Sequence, residues 1–318
     1  MNVIDWLLDS DPSVRWQLMR DLTQEPDEVV ALERSRVATE GWGARLIELQ
    51  APDGQWGGDV YHPYFTSTHY TLLLLRDLGL DPAGDEARVA VGLIRDNLRF
   101  QWTETDSRPF FDGEIETCIN GMVLAMGSYF GEVRPALVDR LLDEQLEDGG
   151  WNCWAGEAWP EDDTNRSSFN TTINVLDGLL EYERATGRDS VVSKARSKGE
   201  EYLLERHLFR RLSTGEVIKP DWTRFAFPPR WRYDVLRGLD YLRSARVTPD
   251  ERTAGAVELV LEKRDDSGRW PREYPEKGPA WDREGTDHFE IDEGEGEPSR
   301  WNTLRAMRVL DWAGNDSA

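Results

Sequence analysis

Cysteine is almost missing from these 318 residues: there are two. Two cysteines cannot build the disulfide framework of a secreted scaffold, so a reducing, cytoplasmic setting is the expectation. Long apolar runs are missing too. Mean hydropathy is −0.64, and no stretch approaches the roughly 18 apolar residues that a membrane span needs. The start, "MNVIDWLLDSDPSVRW", has acids among its apolar residues and no basic flank, which argues against a secretory leader. Lysine is scarce, with arginine supplying 33 of the 38 basic residues. Against them stand 61 acids, for a net charge of −23. Such a surface repels nucleic acid and anionic membranes, so neither is expected as a partner, and the charge itself speaks first to solubility. Sustained period-2 alternation bounded by turns is also scarce, which argues against a β fold.

What the chain does have is a repeat. "QAPDGQWGG" at 50–58, "QLEDGGWNCW" at 145–154 and "KRDDSGRWPR" at 263–272 share an acid, a glycine and a tryptophan at nearly fixed offsets. Each leads into an apolar helix. Leu72/Leu75/Leu78, Ile173/Leu176/Leu179 and Leu304/Met307/Leu310 repeat one helical spacing. Segments starting near 13, 116 and 230 fit the same frame, giving six inner helices that begin near residues 13, 67, 116, 168, 230 and 299. Longer amphipathic stretches at about 27–49, 84–99, 132–146, 189–208 and 249–264 lie between them. Six hairpins of one apolar and one amphipathic helix suggest a closed ring, with an open solenoid as the structural rival.

The three tryptophan loops and their following helices resemble the terpenoid cyclase and protein prenyltransferase superfamily, in particular its squalene–hopene cyclase branch. The resemblance runs over nearly the whole chain. It implies an all-α fold, a single α/α-toroid domain over 1–318 with six inner and about six outer helices. It also implies that the loops are structural, with Trp56, Trp151 and Trp270 packed at helix ends and Gln50, Gln145, Asp53 and Asp148 bonding or capping them. The function implied is that of a cyclase or prenyltransferase relative acting on a small isoprenoid-like substrate in the central cavity.

The chemistry-bearing motifs are incomplete. "WPEDDT" at 159–164 is similar to the tail of the cyclases' acid motif through Asp162 and Asp163, but Pro160 stands where the first aspartate belongs, and an acidic run is also what a solvated loop looks like. The prenyltransferases resemble one another in a zinc site of Asp, Cys and His at the toroid mouth. Aligned third positions of the inner helices here are Arg15, His69, Cys118, Asn170, Arg232 and Trp301. His69, Cys118 and Cys153 are thereby candidate zinc ligands, with Asp112, Glu114 and Glu116 close in sequence. No local metal motif supports them, and lone cysteines are most often buried small hydrophobes. Fifth positions (Gln17, Thr71, Asn120, Thr172, Asp234 and Thr303) are polar and suggest a wet cavity.

The acid candidates are thus Asp112, Glu114, Glu116, Asp162 and Asp163, with His69 as acid, base or ligand. Arg15, Asn170, Arg232, Asp234 and Trp301 are the candidate substrate contacts, and Arg230 and Arg300 add charge for an anionic group. Residues 271–298 are acidic and rich in Gly and Pro, a lid or a mobile loop before the last inner helix. Three function classes stay open: an isoprenoid-active enzyme, a non-catalytic ligand- or peptide-binding toroid, and a carbohydrate-active enzyme with paired carboxylates.

Overall fold

The computed structural model describes residues 2–62, 64–101, 106–155, 165–273 and 287–315. Helices dominate: α1 (Val3–Leu8), α2 (Pro12–Asp21), α3 (Asp27–Ser35), α4 (Gly41–Glu48), α5 (Thr68–Leu78), α6 (Asp85–Asn97), α7 (Thr117–Tyr129), α8 (Pro135–Asp143), α9 (Phe169–Thr186), α10 (Ser190–Glu205), α11 (Val235–Ser244), α12 (Glu251–Glu262) and α13 (Arg300–Trp312). Among the described residues, sheet is confined to two short antiparallel pairs, Arg99–Gln101 with Ser107–Pro109 and Trp270–Pro271 with Pro298–Ser299. Among the described residues, no helix is long and apolar enough to cross a membrane.

The inner helices are α2, α5, α7, α9, α11 and α13, and they contact one another in a cycle. Trp16 of α2 donates its indole N–H to the Leu78 carbonyl at the end of α5 (2.9 Å). Helices α5, α7 and α9 pack in sequence, and Arg237 of α11 bonds Asp177 of α9 at 2.8 Å. Helix α13 packs on both α11 and α2, which closes the ring. The tightest crossing is α7 on α9. A Cβ on Gly121 would stand 2.6 Å from the Asn174 backbone, and one on Gly178 would stand 2.4 Å from the Gly121 carbonyl oxygen. Absence of side chains there lets the two backbones meet.

Two elements depart from the sequence reading. The stretch 27–49 is not one helix, because a 3-10 turn at Arg36–Ala38 and Gly41 at φ +67° break it into α3 and α4. The fifth inner helix starts at Val235 rather than near 230. Arg230 sits at φ +56°, and the Asp234 carboxylate caps the helix by accepting from Arg237 N–H at 2.8 Å.

The tryptophan loops are the joints of the ring, and the three are nearly superimposable in their bonding. The indole N–H of Trp56, Trp151 and Trp270 reaches the carbonyl ten residues earlier, on Leu46, Leu141 and Val260, at 2.6 Å each time. Those carbonyls belong to the last or penultimate turns of α4, α8 and α12. The backbone N–H of the same tryptophans bonds the hydroxyl of Thr68, Thr172 and Thr303 at 3.0–3.1 Å. Each tryptophan thus ties the end of an outer helix to the start of the next inner one. Gln50 and Gln145 extend the joint to the following outer helix, donating to Ala90 and Ala195 carbonyls at 3.0 and 2.8 Å. Arg264, not Lys263, occupies that position in the third copy, where Lys263 pairs with Glu273 at 2.7 Å.

The glycine two residues before each tryptophan has φ of +95°, +94° and +81° at 54, 149 and 268. A Cβ at 149 would meet the Lys198 carbonyl oxygen at 2.6 Å, whereas at 268 the nearest atom is on Val3 at 3.9 Å. Gly268→Ala should therefore cost about 1 kcal/mol of backbone strain alone. Gly149→Ala should cost roughly 1–3 kcal/mol more, because it also pushes α10 off the loop. Urea unfolding of the two variants checks this, and equal losses would mean that the loop does not dock on α10 as described.

Candidate functional site

The inner helices enclose a lumen of about 230 Å³ to which α2, α5, α7, α9, α11 and α13 all contribute side chains. Many of its residues lie from the middle of these helices toward their C-terminal ends, among them Arg20, Asp77, Tyr129, Asp177, Arg243 and Arg308, while Trp301, Phe227 and Arg230 stand at or before the N-termini of α13 and α11. Part of the wall is aromatic: Trp16, Phe227 and Trp301 line it, and Phe227 stacks on Trp301 with centroids 4.0 Å apart. Much of the rest is charged, with eight arginines and four acids.

Charges on a buried helix face are costly unless paired, and here they are paired. Arg237 meets Asp177 at 2.8 Å, Arg243 meets Asp240 at 2.8 Å, and Arg184 meets Glu181 at 2.5 Å. Asp21 is shared by Arg20 and Arg308, each at 2.6 Å. Burial alone would raise the Asp21 pKa, but Arg308, Arg20 and Arg243 overcome that and hold it at about 2. Asp77 shows the opposite balance. Burial raises its pKa, Arg76 opposes from 3.5 Å, and the charge of Asp177 adds to the rise.

The opposite, N-terminal end of the ring is covered by residues 287–293. Asp287 pairs with Arg230, His288 bonds the Thr71 hydroxyl at 2.9 Å, and the Arg45 guanidinium lies over Phe289 at 3.7 Å. Ile291 is buried and its carbonyl accepts from the Trp301 indole at 3.2 Å. Asp292 caps α13 through Ser299 and the Arg300 N–H. This part of the expected lid or mobile loop is built into the molecule. Residues 274–286, with Trp281, lie outside the described residues.

A second cluster sits at the N-terminus of α7. Donor atoms of Glu116, Cys118 and Cys153 lie within 4.8 Å of one another. The Cys153 sulfur accepts from the Cys118 N–H at 3.1 Å, and the Cys118 thiol points to Glu116 at 3.8 Å. Glu114 is buried beside them. Its Oε1 accepts from the Glu116 N–H at 2.6 Å, its Oε2 has no partner, and burial followed by the charge of Glu116 raises its pKa to about 7.

These positions revise the candidate list. His69 is not with the cysteines. It is fully buried in a box of Tyr61, Tyr70, Phe100 and Phe110, both ring nitrogens lack partners, and burial lowers its pKa to about 3. Asp112 is exposed and pairs with Arg134 at 3.0 Å. Arg15 pairs outward with Glu33 of α3 at 2.5 Å, and Arg300 bonds the Trp6 carbonyl. Asn170 accepts from the Tyr233 N–H at 2.8 Å, Arg232 lies beside the Trp231 ring, and Asp234 is a helix cap. None of these lines the lumen, whereas Trp301 and Arg230 do. Asp162 and Asp163 lie outside the described residues.

The polar fifth positions do not mark a wet cavity as a group. Thr172 and Thr303 hold tryptophan N–H groups, Asn120 accepts from the Glu114 N–H at 2.8 Å, and Gln17 alone of the set lines the lumen. Apart from Arg230, the charged lumen residues went unread in the sequence. The available signal was charge within apolar helical runs, as in "LMRDL", "LLRDL" and "LRAMRVL".

No family model matches the sequence, and no curated protein matches it. Solved structures do. The apo type II terpene cyclase MstE from Scytonema is 18% identical, with 94% of this chain and 86% of that chain covered and a TM-score of 0.44. A protein from Actinoplanes is 15% identical over 98% of this chain and 97% of that chain, with a TM-score of 0.46. A variant of the same Scytonema cyclase in complex with its product, merosterolic acid A, is 17% identical over 98% of both chains, with a TM-score of 0.41. These are likenesses of fold at low identity, and the activity is the cyclase's own.

The shared Asp21 gives a pH signature. Its pKa is depressed in the folded state, so its contribution is fully present above the unfolded value near 4 and is lost as pH falls toward 2. Asp21→Asn should cost about 2 kcal/mol at pH 7. The gap to wild type should narrow as pH drops from about 5 toward 2. Urea titrations across that range check it, and a pH-independent gap would show that Asp21 is not held ionised by the arginines.

Proposed function

We propose that the lumen holds a small molecule with an isoprenoid-like body, packed against Trp16, Phe227 and Trp301, and that the protein acts on it as a terpenoid-cyclase-like enzyme. The observation that carries this reading is the lumen itself: six inner helices enclose one space that has an aromatic wall and a carboxyl, Asp77, whose pKa burial raises. A proton donor to an alkene must be a carboxyl kept neutral by its surroundings. Asp77, a lumen carboxyl whose pKa burial raises against the opposing charge of Arg76, is our candidate acid, in place of Asp112.

Farnesol and geranylgeraniol titrated against tryptophan fluorescence test binding, because Trp16 and Trp301 face the space. Saturable quenching is expected in wild type and in Asp77→Asn. Product analysis after incubation should show cyclised material with wild type and at least a hundredfold less with the variant, as for loss of a general acid. Quenching without product from any isoprenoid would favour the binding-toroid alternative. Absence of saturable quenching would sink the reading. The carbohydrate-active alternative keeps Asp77 and Asp177 as its carboxylates and predicts glycan binding instead.

A second reading concerns zinc. Two sulfurs and a carboxylate within 4.8 Å suit a thiophilic divalent ion. Cys118, Cys153 and Glu116 would hold it, and bound zinc would supply Lewis-acid character or a structural clip at the start of α7. Elemental analysis of the purified protein should find about one zinc per chain. Cys118→Ser and Cys153→Ser should lose it and His69→Ala should keep it. Metal-free wild type, or loss in the histidine variant, would remove this site.

A further inference from the structure

The residues that line the lumen include more arginines than acids, eight to four, and four of the arginines cluster at its C-terminal end. Arg20 and Arg308 share Asp21, Arg243 bonds Asp240, and Arg305 reaches Asp240 at 3.9 Å and Asp234 at 4.0 Å. Asp311 also acts on Arg243 and Asp77 on Arg305, so the four guanidiniums of Arg20, Arg243, Arg305 and Arg308 stand together with carboxylates close by, while Arg237–Asp177 and Arg184–Glu181 elsewhere in the lumen pair one to one. Arg308 lies at the centre of this cluster. It is 5% exposed, one terminal nitrogen serves Asp21 and the Gln17 oxygen at 2.6 and 2.9 Å, and its Nε is buried with no partner. Burial, opposed by Asp21 and Asp240 and aided by Arg243 and Arg20, brings its pKa down to about 10.

Arginines near helix C-termini commonly serve exposed carbonyls. Arg34 does so at Gly79 (3.0 Å) and Arg184 at Ser244 (2.9 Å). The Arg308 Nε is not used that way. A guanidinium donor left over in a cavity wall, among other arginines, is matched by an oxygen anion that accepts from it.

We propose that this end of the lumen is an oxyanion site, where Arg308, flanked by Arg20 and Arg243, receives the carboxylate or phosphate group of a small ligand. The proposal rests on the lumen as the ligand site and names the charged end of what it takes. Placement is opposite to the arginines at the helix N-termini, of which Arg15 and Arg300 are committed elsewhere.

Calorimetric titration of the whole chain with inorganic pyrophosphate and with succinate tests it. Saturable binding of at least one is expected, and the tighter of the two tells phosphate from carboxylate. Arg308→Gln should weaken it about tenfold or more. Asp21→Asn, which removes the carboxylate charge that Arg308 now faces, should tighten it, and Arg95→Gln on the outer surface should leave it unchanged. Should Arg308→Gln fail to fold, Asp21→Asn decides: tighter binding supports the site and unchanged or weaker binding overturns it. Absence of saturable binding of either anion also overturns it. With farnesol still bound, only the oxyanion site falls, whereas loss of both kinds of binding removes the lumen reading as well.

Discussion

One hydrogen bond recurs as the fastener of this ring: a buried indole N–H on the carbonyl ten residues before it. A single such bond is worth about 1 kcal/mol net, but its position gives it leverage. The carbonyl lies in an outer helix's final turns, and the tryptophan's own N–H is held by a threonine at the start of the next inner helix. Helix ends are where backbone groups go unsatisfied. The loop meets that need at two ends simultaneously and fixes the angle between the two helix layers. With the joints set, the inner helices face one another across the lumen, and the polar groups they bring there must find partners among themselves.

That requirement accounts for the character of the lumen. An apolar inner face would collapse into a filled core. Arginines and aspartates on α2, α5, α9, α11 and α13 keep their long side chains in ion pairs along the wall, and Gly121 with Gly178 lets α7 and α9 approach closely on one side. The same charges make the space selective. It combines an aromatic shelf around Trp301 with a cationic end around Arg308, which suits an amphiphile better than a hydrocarbon.

The repeat was legible because its signal is local. Tryptophan, glycine and acid at fixed offsets reveal the loops, and the 3–4 spacing of leucines reveals the helices, so five of the six inner helices begin within about a residue or two of where the spacing puts them. The exception, α11, turns on a backbone excursion at Arg230 that side-chain pattern does not encode. The site was less legible. Register along a helix says which residues share a face, but not which face meets the lumen. Thr172 and Thr303 look like cavity residues until the tryptophan N–H groups claim them. His69 looks like a ligand until four aromatic rings enclose it. Cys118 and Cys153 come together across 35 residues because the second loop lands on the N-terminus of α7, a contact that no periodicity contains.

The contrast between the exterior and the lumen has a kinetic side. The molecule carries a net charge of −23, yet the ligand we infer is an anion drawn to arginines inside. An approaching anion first meets a repulsive field and only then an attractive one. Salt screens the outer field over about 8–10 Å in physiological buffers and reaches the buried pairs far less. Added salt should therefore speed entry while weakening the final grip only slightly, the reverse of the behaviour of proteins that steer their ligands inward by charge.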